Sequence, residues 1–193
     1  VVFCLFLLMF LLFFRFAPKD ALCVVLTPIC FGLRIPYVMP LAMGLIGTPP
    51  SAISVGCGTI VYYMLHFISQ NSTALGATDA GEAMARLRMV IDGILGNKAM
   101  LITVVAFVFT LELVYIIKRL SVDHSWTIAS IAGTIANVMI LLLGDLMYDT
   151  NVSVIGILLG SIVSLGIALI IQFFVLGVDY SRTEKVQFED DEY

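Results

Sequence analysis

The chain has 193 residues, of which 61% are hydrophobic and 12% charged, with a net charge of −4. A soluble domain carries roughly a quarter charged residues, and no water-soluble fold of this length buries so much apolar surface. The apolar residues come in continuous runs without the alternation of half-buried elements. Such runs also exclude barrel strands, so an all-α integral membrane protein is expected, with the lipid bilayer as its surroundings and no nucleic-acid partner.

In chain order, spans are expected at about 1–16, 21–47, 51–69, 99–117, 126–146 and 152–177, a bundle of about six transmembrane helices. Each of the last four has the ~20 residues that a crossing needs. The sequence opens on Val1-Val2-Phe3 inside an apolar run that reaches Phe14, so an N-terminus upstream and a truncated first span are expected. Arg15 and Lys19 follow that run where a signal peptide has its basic residues first, so a retained span is expected. The second segment is broken by Pro28, Pro36 and Pro40 and carries Arg34 near its middle. It is either one broken span or two half-helices in a re-entrant hairpin.

Between the third and fourth spans, Met84, Leu87, Ile91, Ile94 and Leu95 recur at helical spacing, and Asp79 with Glu82 resembles a capping box. An amphipathic helix over about 79–95 is expected on the outer surface or over the bundle as a cap. The sequons at Asn71 and Asn151 fall on expected outer loops. The transmembrane domain is expected to cover 1–178, followed by an acidic cytoplasmic tail over 179–193.

Lys118 and Arg119 form a short basic loop, and Arg182 and Lys185 follow the last span. Both positions belong in the cytoplasm, and two spans separate them, as parity requires. The C-terminus is therefore expected on the cytoplasmic side of a multi-pass cell-membrane protein. If the second segment crosses once, Arg15 and Lys19 lie outside, against the rule; a re-entrant segment removes that exception.

The last span carries Gly156, Gly160, Ser164 and Ala168 at successive i+4 positions, with Gln172 on the same line. This stripe admits another backbone closely, and Gln172 can hydrogen-bond across the contact, either inside the monomer or to a membrane protein partner. The preceding span has Gly133, Asn137, Leu141 and Asp145 in the same spacing, so the two helices are expected to face each other. Ionisable groups at membrane depth are Arg34, His66, Glu112 and Asp145, and such groups face the bundle interior and are functional candidates. Glu112 lies some 8 Å inside the cytoplasmic end of its helix, as an interhelical partner, a pair with Arg34 or a transport group. Asp145 and His66 lie near outer span ends, where polar anchoring competes with ligand binding.

Cys4, Cys23, Cys30 and Cys57 lie in apolar segments without C-x-x-C spacing, as small buried hydrophobes do. The chain has no H-E-x-x-H, G-x-S-x-G or Walker A motif, so no metal, cofactor or catalytic residue is expected and the protein is read as non-enzymatic.

The stretch from Leu33 through Ile35-Pro36 to Gly47-Thr48-Pro49-Pro50-Ser51-Ala52 resembles the second-to-third helix region of substrate-binding S components of energy-coupling factor transporters. Ser125-Trp126-Thr127 to Asn137 is similar to their fifth helix. The layout equally resembles rod-shape-determining D proteins, small membrane scaffolds, and the tail Val186 to Tyr193 resembles the C-terminal text of Gram-positive membrane proteins, some labelled permeases. The bulky Phe3 to Phe16 run departs from the small-residue docking pattern of the S components. The first resemblance implies a transport component; such a protein is expected to bind a small molecule in an outward-facing cavity, with the polar groups at membrane depth, Glu112, Asn137, Asp145 and His66, as its substrate contacts. The second implies a non-enzymatic scaffold or assembly protein.

Overall fold

The computed structural model of the chain describes residues 18–71, 80–120, 125–150 and 153–190. The regular elements among them are helices: α1 (Pro18–Gly32), α2 (Val38–Ile46), α3 (Ser51–Gln70), α4 (Ala80–Leu95), α5 (Lys98–Lys118), α6 (Ser125–Tyr148) and α7 (Val154–Asp190). Four of them are long and apolar enough to cross a membrane, namely α3, α5, α6 and, over Val154–Phe174, α7. These are the four segments whose apolar runs reach the length of a bilayer core. The first expected span lies outside the described residues and the second is not a single helix, so the described architecture has four long helices, with a shorter pair packed among them. The acidic stretch expected as a tail continues α7 as far as Asp190.

The shorter pair is a hairpin. Pro28 sits inside α1 and cannot donate to the carbonyl of Val24. Gly58 of α3 packs against that turn, since a Cβ there would stand 3.1 Å from Val24 O and 2.6 Å from Thr27 Cβ. One turn further along both helices, Phe31 stacks on Tyr62 with centroids 4.2 Å apart, so α1 runs parallel to α3. Helix α1 ends where Ile35 N donates to Cys30 O at 2.9 Å and Arg34 N to Phe31 O at 3.0 Å. This is a Schellman closure, and Arg34 holds its left-handed position with φ 60°. Glycine normally occupies that position, and a side chain there costs about 1–2 kcal/mol.

Pro36 follows, and α2 returns alongside α5. The Tyr37 and Phe107 rings meet edge to face at 5.9 Å, Gly44 meets Val114 with 2.7 Å left for a Cβ, and Lys118 Nζ donates to Leu45 O and, at 3.5 Å, to Gly47 O. The ammonium thereby satisfies carbonyls at the C-terminal end of α2, where the helix dipole favours a cation. Helices α3 and α5 are antiparallel, since Tyr63 Oη bonds Thr103 Oγ1 at 3.2 Å while Gly56 faces Val104 and Val108. Both feet of the hairpin therefore stand at the Lys118 end of the bundle, and its turn lies beside Phe107, near the middle of α5. Of the two forms open to the Ala21 to Gly47 segment, the structure has the hairpin.

Helix α6 packs antiparallel to α5, with Gly144 against Ile102 and Gly133 against Val114. Helix α7 closes the bundle on α6 and α2. Phe107, Leu111, Val55, Ala106 and Ile157 form the main core, and Leu41, Leu45, Val114, Ala129 and Ala168 a second one nearer the Lys118 end. Helix α4 lies where an amphipathic helix is expected and buries Val90 and Ile94 against Phe67, Ile68 and Met64 of α3. Gly93 admits the Phe67 ring, which would stand 2.6 Å from a Cβ. The expected single apolar face is thus divided: Ile94 packs inward, while Met84, Ile91 and Leu95 are exposed. Asp79 of the expected capping box lies outside the described residues. The start of α5 is capped instead by Asn97, whose Oδ1 accepts from Met100 N at 3.1 Å.

Candidate functional site

At the end of the bundle opposite Lys118, the hairpin turn leaves a cavity of about 320 Å³. Five elements and two loops contribute to it. The turn supplies Phe31, Arg34, Pro36 and Tyr37, α3 supplies Tyr62, Tyr63 and His66, and α5 supplies Thr103. Leu141 and Thr150 come from α6 and the loop after it, and Ser153, Gly156 and Ile157 from the start of α7. Because α2 stops short of the full bundle depth, the volume above its turn is not filled by a helix.

Three rings form a ladder along one side. Phe31 and Tyr62 are 11° from parallel, and Tyr62 and His66, one turn apart, are 13° from parallel at 5.9 Å. Tyr63 stands nearly upright against both Tyr62 and Phe31. His66 Nε2 shares a hydrogen bond of 3.0 Å with Gln70 Nε2, which orients the imidazole from the helix turn behind it. Thr103 Oγ1, besides its contact with Tyr63, donates to Ala99 O at 2.7 Å. The Arg34 guanidinium makes no hydrogen bond or ion pair among the described residues, and the ion pairs found there, Arg86–Glu82 and Arg88–Asp92, are both on α4.

Of the residues expected to contact a substrate, His66 is on the wall. Asp145 stands one hydrogen bond behind it, accepting from Thr150 Oγ1 at 2.5 Å. Asn137 and Glu112 are not on the wall. Asn137 is 1% exposed in the interior of the bundle, and its Oδ1 has no hydrogen-bond partner among the described residues, as is also true of Ser54, Thr110 and Ser161 side-chain oxygens. Glu112 is partly exposed on α5 and is not paired with Arg34. These four candidates therefore do not share one polar cavity.

Sequence reasoning passed over the aromatic members, Phe31, Tyr37, Tyr62 and Tyr63. Inside an apolar run an aromatic residue gives no chemical signal, and the one available here was the Tyr62-Tyr63 pair one turn before His66 in the second half of α3. Along the stripe of α7, Gly160, Ser164, Ala168 and Gln172 face the bundle, and Gly156 lies at the cavity wall. Gly160 takes the Tyr37 ring, which would come within 2.6 Å of a Cβ. Gln172 Nε2 donates to Trp126 O at 2.7 Å and to Ser130 Oγ, and its Oε1 accepts from Thr127 at 3.3 Å.

A second concavity of about 450 Å³ lies between α5 and α6. Its walls are Leu101, Val105, Leu143 and Met147, all exposed, with Lys98 and Tyr148 at the rim. It is larger, but it is an apolar groove on the outside of the bundle, where lipid chains pack. The cavity at the hairpin turn is where polar and charged groups converge.

Fold and site together define an all-α protein with four candidate membrane spans and an aromatic cavity at one end. No family model, curated protein or solved structure matches the chain.

Proposed function

We propose that the protein is a small integral component of a transport system in the cell membrane, and that it holds a small-molecule substrate in a cavity open to the outer side. The cavity at the hairpin turn carries this reading: about 320 Å³ walled by rings, with Arg34, Thr103, Thr150 and Ser153 as polar groups. Ligand sites have this make-up, concave and largely apolar with few oriented polar groups. Half-helices that end inside a bundle are tolerated in hydrocarbon where they are buried or line such a cavity, and transporters place their sites at such breaks.

Orientation supports the same reading. Lys19 joins Lys118 and Arg119 at one end once the hairpin has both feet there, which removes the exception that a single crossing would leave. That end is then cytoplasmic, as is the far end of α7, and the cavity faces outward. The reading asks the chain for binding and for no bond-making chemistry.

The test is thermal-shift screening of the purified protein against vitamins and metabolites. A ligand is expected to raise the melting temperature of the native chain and to lose that effect in Gly156→Leu. A Cβ at this exposed wall position meets nothing nearer than Ser153 Cβ at 3.5 Å, so the backbone accepts a side chain there, and the leucine is expected to crowd the cavity. A protein that no ligand stabilises, and that purifies with a membrane partner, is the scaffold of the alternative reading.

A further inference from the structure

We infer that the cavity selects a planar organic anion, with Arg34 as its charge-recognising residue and the Phe31–Tyr62–His66 ladder as its stacking wall. This rests on the substrate-binding reading above. Three observations converge on it.

The first is charge. Arg34 is on the wall, His66 is on the wall, and among the described residues no carboxylate is. The carboxylates at this end, Asp145 and Asp149, belong to the last turn of α6 and the residue after it, and Asp145 is turned to Thr150. Arg34 is exposed to this cavity, and no described residue forms an ion pair with its guanidinium, which leaves the charge available to an incoming anion. Its planar fork suits a carboxylate or phosphate held by two parallel hydrogen bonds.

The second is conformation. Arg34 occupies the left-handed position of the α1 closure, φ 60°, although the fold would hold together better with glycine there and Gly32 stands only two residues earlier. Strain retained at a cavity wall marks a side chain that the site uses. The left-handed backbone also ends α1 before it reaches the end of the bundle, which sets the arginine beside the space it lines.

The third is shape. Phe31, Tyr62 and His66 lie within 13° of parallel from neighbour to neighbour, and Tyr63 and Tyr37 stand at the sides. Such walls favour a flat ring over a branched aliphatic body.

A matched set of probes, indoleacetate, tryptophol and tryptamine, carries one ring with a negative, neutral or positive end. Binding to the purified full chain is measured by calorimetry. Indoleacetate is expected to bind at least roughly tenfold more tightly than tryptophol, and tryptamine more weakly than either. Arg34→Asn removes the charge with a residue that adopts the left-handed region readily. It is expected to abolish the preference, whereas Arg34→Lys keeps part of it. Arg34→Gly is expected to raise the melting temperature while losing indoleacetate, a separation that a merely structural arginine would not give.

Equal binding of indoleacetate and tryptophol, stronger binding of tryptamine, or indoleacetate binding that survives Arg34→Asn overturns the anion assignment. Where such binding is still lost in Gly156→Leu, the site reading stands. If all three probes are silent and the metabolite screen yields a neutral or cationic ligand, the assignment is again overturned alone. If that screen yields an anion, its loss or survival in Arg34→Asn decides. Silence in both experiments removes the site reading and this inference with it.

Discussion

In hydrocarbon the polar side chain that finds a partner on another helix sets the register of the pair, because lipid offers no hydrophobic drive between helices. Gln172 does this for α6 and α7. It is 2% exposed and spends both halves of its amide on Trp126, Ser130 and Thr127. Gln172→Leu is expected to destabilise the bundle by about 1 kcal/mol, read as a lower unfolding midpoint in detergent. A midpoint equal to that of the native chain would contradict the role. That Gln172 bonds across to α6 was legible from its place on the i+4 line of small residues, but its partners were not: they lie off the Gly133–Asp145 line, whose Gly133 packs on Val114 and Leu41, while Gly160 takes the Tyr37 ring. The cavity was less legible. His66 and Arg34 were both visible as ionisable groups in apolar runs, but the conformation that sets Arg34 at the cavity depends on the Schellman closure. Asn137 and Glu112 share the chemistry of site residues and not their position, which depends on how deep the hairpin reaches.

At the scale of elements, glycines decide how closely the hairpin lies against its neighbours. Gly58 and Gly56 are both buried on α3, two residues apart, and differ only in what a Cβ would meet. At Gly58 it would stand 2.6 Å from Thr27, and at Gly56 3.8 Å from the nearest atom. Gly58→Ala is therefore expected to cost about 1–3 kcal/mol by pushing α1 away, while Gly56→Ala is neutral or stabilising through helix propensity. Thermal unfolding of the pair checks this, and equal effects would contradict the close α1–α3 packing. The four long helices were readable because their apolar runs match the bilayer thickness. The form of the Ala21 to Gly47 segment was not, since three prolines break a helix without saying in which direction the chain leaves. Contacts with two other helices, Phe31 on Tyr62 and Tyr37 on Phe107, settle that direction, and a local pattern cannot hold them. The same limit applies to α4, where periodicity located the helix but not the division of its apolar residues between α3 and the exterior.

For the whole molecule, the hairpin explains both ends of the bundle. Its feet gather Lys19 with Lys118 and Arg119 at one end, and its turn leaves the aromatic cavity open at the other. The proposed orientation, the cavity and the place of Arg34 all rest on two half-helices that enter and leave at one end of the bundle. That claim is tested most directly by thiol labelling in sealed vesicles. Single cysteines at Lys19, Thr48 and Ser153 are placed in a chain whose own cysteines are replaced, and an impermeant reagent is applied from one side at a time. Lys19→Cys and Thr48→Cys are expected to react from the same side, and Ser153→Cys from the opposite one. Reaction of Lys19→Cys and Thr48→Cys from opposite sides would mean that the segment crosses the membrane, and would contradict the hairpin and the cavity built on it.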